Sequence, residues 1–380
     1  STQNSKRITM NSIRLDWPLI IAALFPWASI AVGALMTPRL TRPDLFFAVT
    51  VNRSFRDSPL GVEIRRQYTA LVFATALVAL LPLICFALPR VWVLLGLLGP
   101  CAIELAGWFA AFLLARHRTL PYHAEPTAER EVQLTPRPAF LPGGWLAQAG
   151  PFAILVVACL SLAVKWPIIP SRIPIHWGIA GAPDGWAAKS PASIFGGPGI
   201  GFLTCALLAG ISYGVVRGVR RIHGGGRARQ GEERFVRAVL FFLLGMEYWL
   251  ALLMALIGLA PLRTNLQAPL PQFWLILPCQ TVLIGAIFLI SFRMGQGGWR
   301  AGAAAENEVS DLAAPVGDRT PDACWKLGLI YYNPNDPAVL VEKRFGVGWT
   351  LNFANPHSWL VIGAILLFIL MVLAFAFMVR

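Results

Sequence analysis

The segment His357–Val379 reads HSWLVIGAILLFILMVLAFAFMV and contains no Asp, Glu, Lys or Arg. An α-helix rises about 1.5 Å per residue, so roughly 20 apolar residues cross the ~30 Å hydrocarbon layer of a bilayer. The segment therefore predicts a transmembrane helix. Other regular structures are excluded for a single segment, because lipid offers no hydrogen-bond partner for an open backbone N–H or C=O group.

Further stretches of the chain have the same character. The complete set of predicted spans is Trp17–Met36, Thr69–Leu88, Val91–Ala115, Ala149–Val164, Pro198–Val216, Phe235–Ala260, Pro271–Phe292 and His357–Val379. The fourth is short, and we expect Lys165 or Trp166 to extend it to the interface. The chain is 56% hydrophobic and 13% charged, with a mean hydropathy of +0.62, which excludes an ordinary soluble domain. The sequence predicts an all-α integral membrane protein with about eight transmembrane helices.

The distribution of cationic residues predicts the topology, because cytoplasmic loops of membrane proteins are enriched in Lys and Arg. The loops after the first, third, fifth and seventh predicted spans hold about two thirds of the 32 Lys and Arg residues. We therefore expect these loops in the cytoplasm and both termini outside. Lys6, Arg7 and Arg14 in the N-terminal tail would then lie on the less favourable side.

The net charge of +13 suggests an anionic partner. Much of it lies beside the spans, as in the cluster Arg217, Arg220, Arg221, Arg227, Arg229 and Arg234. Juxtamembrane clusters of this kind typically meet anionic lipid headgroups. No aromatic platform or recognition helix accompanies the cluster, so we expect membrane lipids as partners and no nucleic acid.

Motifs for cofactors and catalysis are missing from the sequence. The 6 cysteines form no CxxC pair, and no Cys/His ligand spacing occurs, so neither a disulfide framework nor a metal site is predicted. The sequence contains no HExxH, GxSxG, Walker or Rossmann signature. The 5 histidines are dispersed over the polar segments. These observations predict no cofactor and favour a protein that is not an enzyme.

The polar segments divide the chain into six predicted regions. They are a three-span unit 1–116 with the polar loop 37–68, a loop 117–148, a two-span unit 149–234 with the outer loop 165–197, a two-span unit 235–292, a linker and small β-rich domain 293–356, and the last span 357–380. Within the first loop, Leu45–Val51 is β-prone, and Ser58-Pro59 begins a helix that leads into the second span.

The β-rich region before the last span has a strand-and-turn pattern. Trp325–Tyr332, Ala338–Arg344 and Trp349–Phe353 are strand-like, and Asn/Pro/Asp-rich and Gly-containing turns separate them. We expect a small cytoplasmic β-meander, which needs the adjacent helical bundle as a packing surface because so small a sheet is not stable alone.

Two carboxylates lie near the middle of predicted spans, Glu104 in the third and Glu247 in the sixth. A charge at this depth costs a few kcal/mol at least, so each side chain should face the bundle interior and be protonated or paired. No Lys or Arg lies within a span core to neutralise them. Each is either a protonated acid that hydrogen-bonds the backbone or Tyr248, or an intramembrane acid that binds a proton or cation.

The outer loop contains the candidate ligand-binding residues. They are Pro174, His176, Trp177, Gly181, Asp184, Gly185, Trp186 and Lys189. His176 beside Asp184 could act as a general base, a metal-ligand pair or a pH-sensitive latch. The alternative is that Asp184-Gly185 is a turn and that His176 and the tryptophans lie at headgroup level, which we favour over chemistry.

The stretch Ile169–Ser190, IPSRIPIHWGIAGAPDGWAAKS, resembles the hallmark of a bacterial membrane family, the domain of unknown function 1648 family, found beside SdpI-type immunity proteins. The family pattern is approximately P-x-x-I-P-x-H-W/F-N-x-x-G-x-x-D-G-W/Y-x-x-K, and Gly178 stands where the family usually has Asn. Tyr331–Asn352, with YYNPNDP and GWTLN, resembles a second small domain of unknown function. The resemblance implies a bacterial inner-membrane protein, with toxin immunity and signalling known for one branch.

Two functional hypotheses follow. The first is a non-enzymatic multi-pass protein of the bacterial inner membrane that binds a peptide or envelope ligand through its outer loop and relays the event to a cytoplasmic regulator. The second is a proton- or ion-coupled transporter that uses Glu104 and Glu247. A lipid- or peptide-processing enzyme has no motif to support it.

Overall fold

The computed structural model describes residues 17–88, 90–126, 140–178, 181–218, 226–270, 273–303 and 317–378. Within these ranges, 8 helices are long and apolar enough to cross a membrane, which confirms the predicted multi-pass architecture. The helices are α1 (Trp17–Leu40), α2 (Pro59–Val78), α3 (Val93–Thr119), α4 (Gly144–Val164), α5 (Pro191–Gly218), α6 (Gly226–Gly258), α7 (Phe273–Met294), a short α8 (Trp299–Ala303) and α9 (Pro356–Met378). The cations Lys6, Arg7, Arg14, Arg220 and Arg221 lie outside the described residues.

All eight long helices differ from the predicted spans in their bounds, and the fourth and second differ in an informative way. The fourth helix, α4, begins earlier than predicted, at Gly144. Beyond Val164 the Lys165 N–H still bonds the Ser161 carbonyl at 3.1 Å, and the chain continues as the 3₁₀ helix Trp166–Ile168. The second span begins as predicted: the Ser58 hydroxyl caps α2 by accepting a hydrogen bond from the Gly61 N–H at 3.1 Å. Beyond Val78 it continues as the 3₁₀ helix Leu81–Ala87.

The strands form four antiparallel pairs in the described chain. They are β1 (Leu45–Phe46) with β2 (Val49–Thr50), β3 (Arg172–Trp177) with β4 (Pro183–Ala188), β5 (Trp325–Lys326) with β6 (Ile330–Tyr331), and β7 (Leu340–Glu342) with β8 (Trp349–Leu351). The predicted β-rich region before the last helix is therefore present. Its first strand is split into β5 and β6, because Leu327 and Gly328 take the left-handed backbone conformation, with φ of 53° and 76°.

The chain forms two compact units. The first consists of α1 up to Met36 together with Ile64–Ala115. In it, the Tyr68 hydroxyl donates a hydrogen bond to the Ala34 carbonyl at 2.7 Å, and the Trp27 indole N–H donates to the Ala76 carbonyl at 3.2 Å. These bonds join α2 to α1 and give each polar group a partner, which a bundle in lipid requires.

The second unit consists of Thr37–Glu63 and the chain from Arg116 onward. Its core lies where α4, α5 and α6 meet, around the buried residues Leu155, Ala158, Cys205, Ala251 and Ala255. The small residues let the helices approach closely, which drives helix association in membranes.

A proline in α4 explains one contact of this core. Pro151 has no N–H, so the Ala147 carbonyl one turn earlier loses its usual partner. The Tyr248 hydroxyl of α6 replaces it with a hydrogen bond of 2.9 Å. Gly150 is required here, because a Cβ at this position would lie 1.9 Å from the Tyr248 hydroxyl oxygen.

The polar segments of the second unit lie at opposite ends of α5. The β3–β4 hairpin directly precedes Pro191, and at the other end Val215 and Val216 pack with Leu340 and Trp349. α5 has 28 residues and is about 42 Å long, more than the hydrocarbon thickness. We call the end with the hairpin the hairpin face and the other end the domain face.

The domain face carries a small domain built from three stretches of the chain: 41–57, 116–126 and 317–355. We call it the composite domain. Backbone and side-chain hydrogen bonds join the stretches: Ala124 N–H donates to the Thr50 carbonyl at 2.8 Å, and the Thr50 hydroxyl donates to Asp322 at 2.8 Å. The loops that the Lys/Arg distribution assigned to one side of the membrane are thus in contact with one another.

Candidate functional site

The β3–β4 hairpin connects α4 to α5. Its strands are antiparallel, with Ile173 opposite Ala187 and Pro174 opposite Trp186. Ile173 is fully buried, in a cluster with Leu162, Ile169 and Ile194, whereas Arg172 is exposed. The hairpin is therefore anchored on the ends of α4 and α5.

His176 and Asp184 form a pair across this hairpin. Nδ1 of His176 lies 2.5 Å from Oδ1 of Asp184, and the two side chains remain 73% and 53% exposed. Gly185 permits this approach, because a Cβ there would lie 2.7 Å from the His176 Cβ. The pair is a polar, solvent-accessible feature with a fixed geometry, which is what a recognition site requires.

The tip of the hairpin is held by the loop that follows α6. Gly181 has a φ of +78°, which favours glycine, and its carbonyl accepts a hydrogen bond from the Leu270 N–H at 2.9 Å. Gly178, at the position where the resembling family usually has Asn, donates to the Ala182 carbonyl at 2.8 Å. A Cβ on Gly178 would lie 3.2 Å from Oδ2 of Asp184, so an Asn side chain would start beside this carboxylate.

Two of the predicted ligand-binding residues contribute to the scaffold. The Lys189 ammonium donates hydrogen bonds to the carbonyls of Trp166 at 2.6 Å and Ile169 at 3.0 Å, and lies 4.9 Å from the centre of the Trp166 ring. Pro174 is buried. Trp177 and Trp186 are half-buried, so each has a partly accessible ring.

Lys189→Met should therefore destabilise the hairpin rather than change its surface chemistry. It removes two charge-assisted hydrogen bonds and leaves two carbonyls without this donor, and we expect a loss of about 2 kcal/mol. Thermal unfolding in detergent measures it. Lys165→Met is the matched control, because Lys165 is exposed at the end of α4. Equal stability of the two variants would contradict this role.

Comparison with family models gives two matches. Residues 153–202 match the domain of unknown function DUF1648, and residues 334–359 match the family of unknown function DUF5808. The DUF1648 match covers most of α4, the hairpin and the start of α5, and the DUF5808 match covers β7, β8 and the start of α9. No curated protein and no solved structure matches the chain.

The DUF1648 match confirms the predicted resemblance and supports a multi-pass membrane protein. It includes each candidate residue of the hairpin, from Pro174 to Lys189. His176, Asp184 and Gly185 come together in the structure, whereas Lys189 contacts the opposite end of the hairpin, at Trp166 and Ile169.

The two intramembrane glutamates are fully buried. Glu104 lies in α3 and Glu247 in α6, each with no exposed surface. Neither carboxylate oxygen of either residue has a hydrogen-bond partner among the described residues. Native proteins pair nearly all buried polar atoms, so these four oxygens are exceptional. Tyr248, the predicted partner of Glu247, donates to Ala147 instead.

The composite domain contains a polar cluster that we did not predict from sequence. Arg344 is fully buried and forms ion pairs with Asp318, at 2.8 Å, and with Asp322. Its guanidinium also donates to the Thr320 carbonyl and lies 5.3 Å from the centre of the Trp325 ring. This cation connects several segments of the domain at one point.

Charge compensation keeps this cluster ionised. Burial alone would raise the pKa of Asp318, but the guanidinium of Arg344 and hydrogen bonds from Arg344 and Thr320 lower the pKa below its ordinary value. Burial would likewise lower the pKa of Arg344, and Asp318 and Asp322 raise it. The contribution of Asp318 to stability is therefore present above its unfolded pKa of about 4 and is lost as the pH falls through the lower folded value.

The same cluster holds a strained turn between β1 and β2. Phe47 and Ala48 have φ of 45° and 61°, a conformation that such hairpin turns usually assign to Asn and Gly. The Ala48 carbonyl accepts hydrogen bonds from Arg116 at 2.7 Å and from Arg344 at 3.4 Å. Phe47 is buried and packs on Phe345, with ring centres 5.9 Å apart. These contacts offset the cost of the left-handed backbone.

Within the described part of the chain, no group of three or more His, Cys, Asp or Glu residues could hold a metal ion. All 6 cysteines are free thiols. The structure therefore offers the hairpin pair, the buried glutamates and the composite domain as the features from which a function can be argued.

Proposed function

We propose that this protein is a non-enzymatic bacterial inner-membrane protein that binds an extracellular ligand through the β3–β4 hairpin, with an SdpI-like role in immunity or signalling. The ligand class is a peptide toxin or an envelope component. The observation that carries the proposal is that one helix, α5, bears the hairpin at one end and packs against the composite domain at the other.

The hairpin has the properties of a recognition element. It is anchored by Ile173 in the bundle and by Leu270 at its tip, so its exposed groups are pre-organised. His176 and Asp184 offer an ionisable donor–acceptor pair, and Trp177 of the same hairpin has a partly accessible ring. Aromatic rings beside a few fixed polar groups are typical of peptide-binding surfaces.

The composite domain supplies the second half of the proposed relay. Leu340 lies against the end of α5, where a Cβ on Gly218 would lie 3.2 Å from a Leu340 methyl carbon. A shift of α5 at the hairpin would therefore reach β7 through direct packing, because packed helices transmit small displacements. A cytoplasmic regulator that binds the composite domain would sense this shift.

The test uses a strain that lacks the protein, exposed to the peptide fraction of spent medium from a bacterium of the same kind. Wild-type protein should restore growth, and the double variant His176→Ala with Asp184→Ala should lose at least about tenfold in protection, equivalent to about 1.4 kcal/mol of binding. Growth at graded doses is the measurement, and immunoblotting checks that both proteins reach the membrane in equal amounts.

Arg172→Ala is the matched control, because Arg172 is exposed on the same hairpin but is not part of the pair. It should protect as well as the wild-type protein. Full protection by the double variant would refute ligand binding through the pair. Failure of the wild-type protein to protect against any fraction would refute the immunity role.

The buried glutamates support a second candidate, a proton- or ion-coupled transporter. Intramembrane acids without a countercharge typically mark ion pathways. Glu104→Gln combined with Glu247→Gln should abolish proton-coupled flux in proteoliposomes that contain a pH-sensitive dye. Glu125→Gln, which changes a side chain that is 84% exposed, is the control. Unchanged flux in the double variant would reject transport by these residues.

A further inference from the structure

Glu247 lies near the middle of α6, at the contact of α6 with α4 and α5. It has no exposed surface, and both carboxylate oxygens are buried without a hydrogen-bond partner in the part of the chain that the structure describes. The backbone around it is packed: the Cys205 thiol of α5 lies 3.7 Å from the Glu247 carbonyl oxygen. The side chain is therefore enclosed by protein.

Within the described part of the chain, the cations on the helices that pack on α6 lie near helix ends and not at the level of this carboxyl group. α4 contains no charged residue, and α5 and α7 each contain one, Arg217 and Arg293, in the last turn of the helix. The short α8 carries Arg300 and follows Gly298, which lies against Gly231 near the start of α6. On α6 itself the next charge is Arg237, about 15 Å away along the axis. The titratable groups of the neighbouring helices are the thiols of Cys159, Cys205 and Cys279 and the phenol of Tyr213.

An ionised carboxylate without a countercharge or donor in this position is costly, since desolvation opposes the charge and nothing repays it. The neutral acid is the form that these surroundings accept. Even the neutral acid has a hydroxyl that requires an acceptor, and the described residues provide none within hydrogen-bond distance. A small rearrangement of the helices would therefore change the hydrogen bonding and the protonation of the Glu247 carboxyl group.

Tyr248, the next residue of α6, contacts α4 at the point where a proline interrupts its hydrogen bonding. Tyr248 completes the hydrogen bonding of α4 where Pro151 interrupts it, through the bond to Ala147. Proline breaks in membrane helices are sites where the backbone can rearrange and where polar groups become accessible. Because Glu247 directly precedes Tyr248 in α6, a rearrangement that moves Tyr248 also moves the backbone at Glu247.

We propose that Glu247 is an exchangeable proton-binding site in the α4–α5–α6 core. Its ligand is the proton, which the carboxyl group binds inside the bundle and releases when the core opens to water. Proton binding here is independent of ligand binding by the hairpin. The transport candidate requires such a site, but the site can also exist without transport, as a proton-sensitive control of the helix packing that joins the hairpin to the composite domain.

The first experiment labels wild-type protein in membrane vesicles with the apolar reagent dicyclohexylcarbodiimide. A protonated carboxyl group in apolar surroundings gives its proton to a nitrogen of the reagent as its oxygen bonds the central carbon, and an acyl shift leaves a stable N-acylurea. Peptide mass spectrometry should find the adduct on Glu247, with a yield at least about tenfold lower at about pH 9 than at about pH 6, because only the protonated form reacts.

Glu125 is the internal control, because its carboxyl group is exposed and hydrated. Labelling of Glu247 no stronger than that of Glu125, or labelling that is equal at both pH values, would overturn the proposal. This arm uses the wild-type chain, so it does not depend on the folding of a variant.

The second experiment compares infrared spectra of wild-type protein and Glu247→Gln over a range from about pH 5 to about pH 9. The wild-type spectrum should contain a protonated-carboxyl band that the variant lacks and that declines as the pH rises. A band that persists unchanged would identify a permanently neutral acid and overturn the proposal. A titrating band together with absent flux in the proteoliposome test would retain the proton site and eliminate the transporter.

Discussion

Arg344→Met should destabilise the composite domain and make its local opening more frequent. The substitution leaves the Asp318 and Asp322 carboxylates, which have 9% and 19% exposed side chains, without their cation. Removing one partner of a buried ion pair typically costs about 3–5 kcal/mol, because the remaining charge is uncompensated. Each 1.4 kcal/mol corresponds to a factor of ten, so local opening should become roughly 10²–10⁴-fold more frequent.

The half-buried Cys324 reports this opening, since it directly follows Asp322-Ala323 in the same domain. Its rate of alkylation by a thiol reagent, resolved from the other cysteines by peptide mass spectrometry, should rise by the same factor. Lys326→Met is the matched control, because Lys326 is exposed and donates a single hydrogen bond, to Ala323. Arg344→Lys should fall between the two, because it keeps the charge and loses the planar fork. An alkylation rate in Arg344→Met that matches the control would rule out the structural role of the cluster.

Gly298→Ala is the second substitution with a large expected effect. Gly298 has a φ of +84°, and a Cβ there would lie 2.2 Å from the Gly231 carbonyl oxygen of α6. The obstruction is backbone, so no side chain can rotate away. The left-handed conformation costs an Ala about 1–2 kcal/mol and overpacking a further 1–3 kcal/mol, so we expect a loss of about 2–5 kcal/mol. Thermal unfolding in detergent is the measurement.

Two other glycines separate the cost of the left-handed backbone from the cost of the close contact. Gly346 has a φ of +91° with no atom within 4 Å of an added Cβ, so Gly346→Ala should show only the backbone cost, about 1–2 kcal/mol. Gly363 lies within α9 with the same free space, and Gly363→Ala should be neutral or stabilising, because Ala favours a helix by up to about 1 kcal/mol. A Gly298→Ala variant as stable as Gly346→Ala would disprove the close approach.

The membrane-spanning architecture could be predicted from sequence because a span has one requirement, a continuous apolar run of sufficient length. The run His357–Val379 satisfies it without reference to any other part of the chain, and α9 covers Pro356–Met378. The outer loop could be identified from its motif of Pro, Gly and Asp residues, but its hairpin was not predicted. Asp184-Gly185, interpreted from sequence as a turn, lies within β4 and pairs with β3. The intramembrane glutamates could be identified from hydropathy alone.

The composite domain could not be predicted, because its determinants are distant in the chain. Thr50 bonds Asp322 across 272 positions, and no local pattern records such a pairing. The turn at Phe47-Ala48 lacks the Asn and Gly that usually mark such a turn in sequence. Contacts with Arg116, Arg344 and Phe345 offset the cost of its left-handed backbone. Arg344 was hidden for the same reason: in sequence it is one more cation beside Lys343, and only the fold surrounds it with carboxylates.

The assembly of the composite domain from distant stretches imposes a delay during synthesis. The ribosome adds about 5–20 residues per second, so the 272 positions between Thr50 and Asp322 take roughly 15–55 s to make. During that interval the nascent loop carries Phe46 and Phe47, both buried in the finished protein. Its partners Arg116 and Ala124 are made early, but Asp322, Arg344 and Phe345 are still missing. A chain cut short before residue 317 would therefore leave this loop without the contacts that Asp322, Arg344 and Phe345 provide.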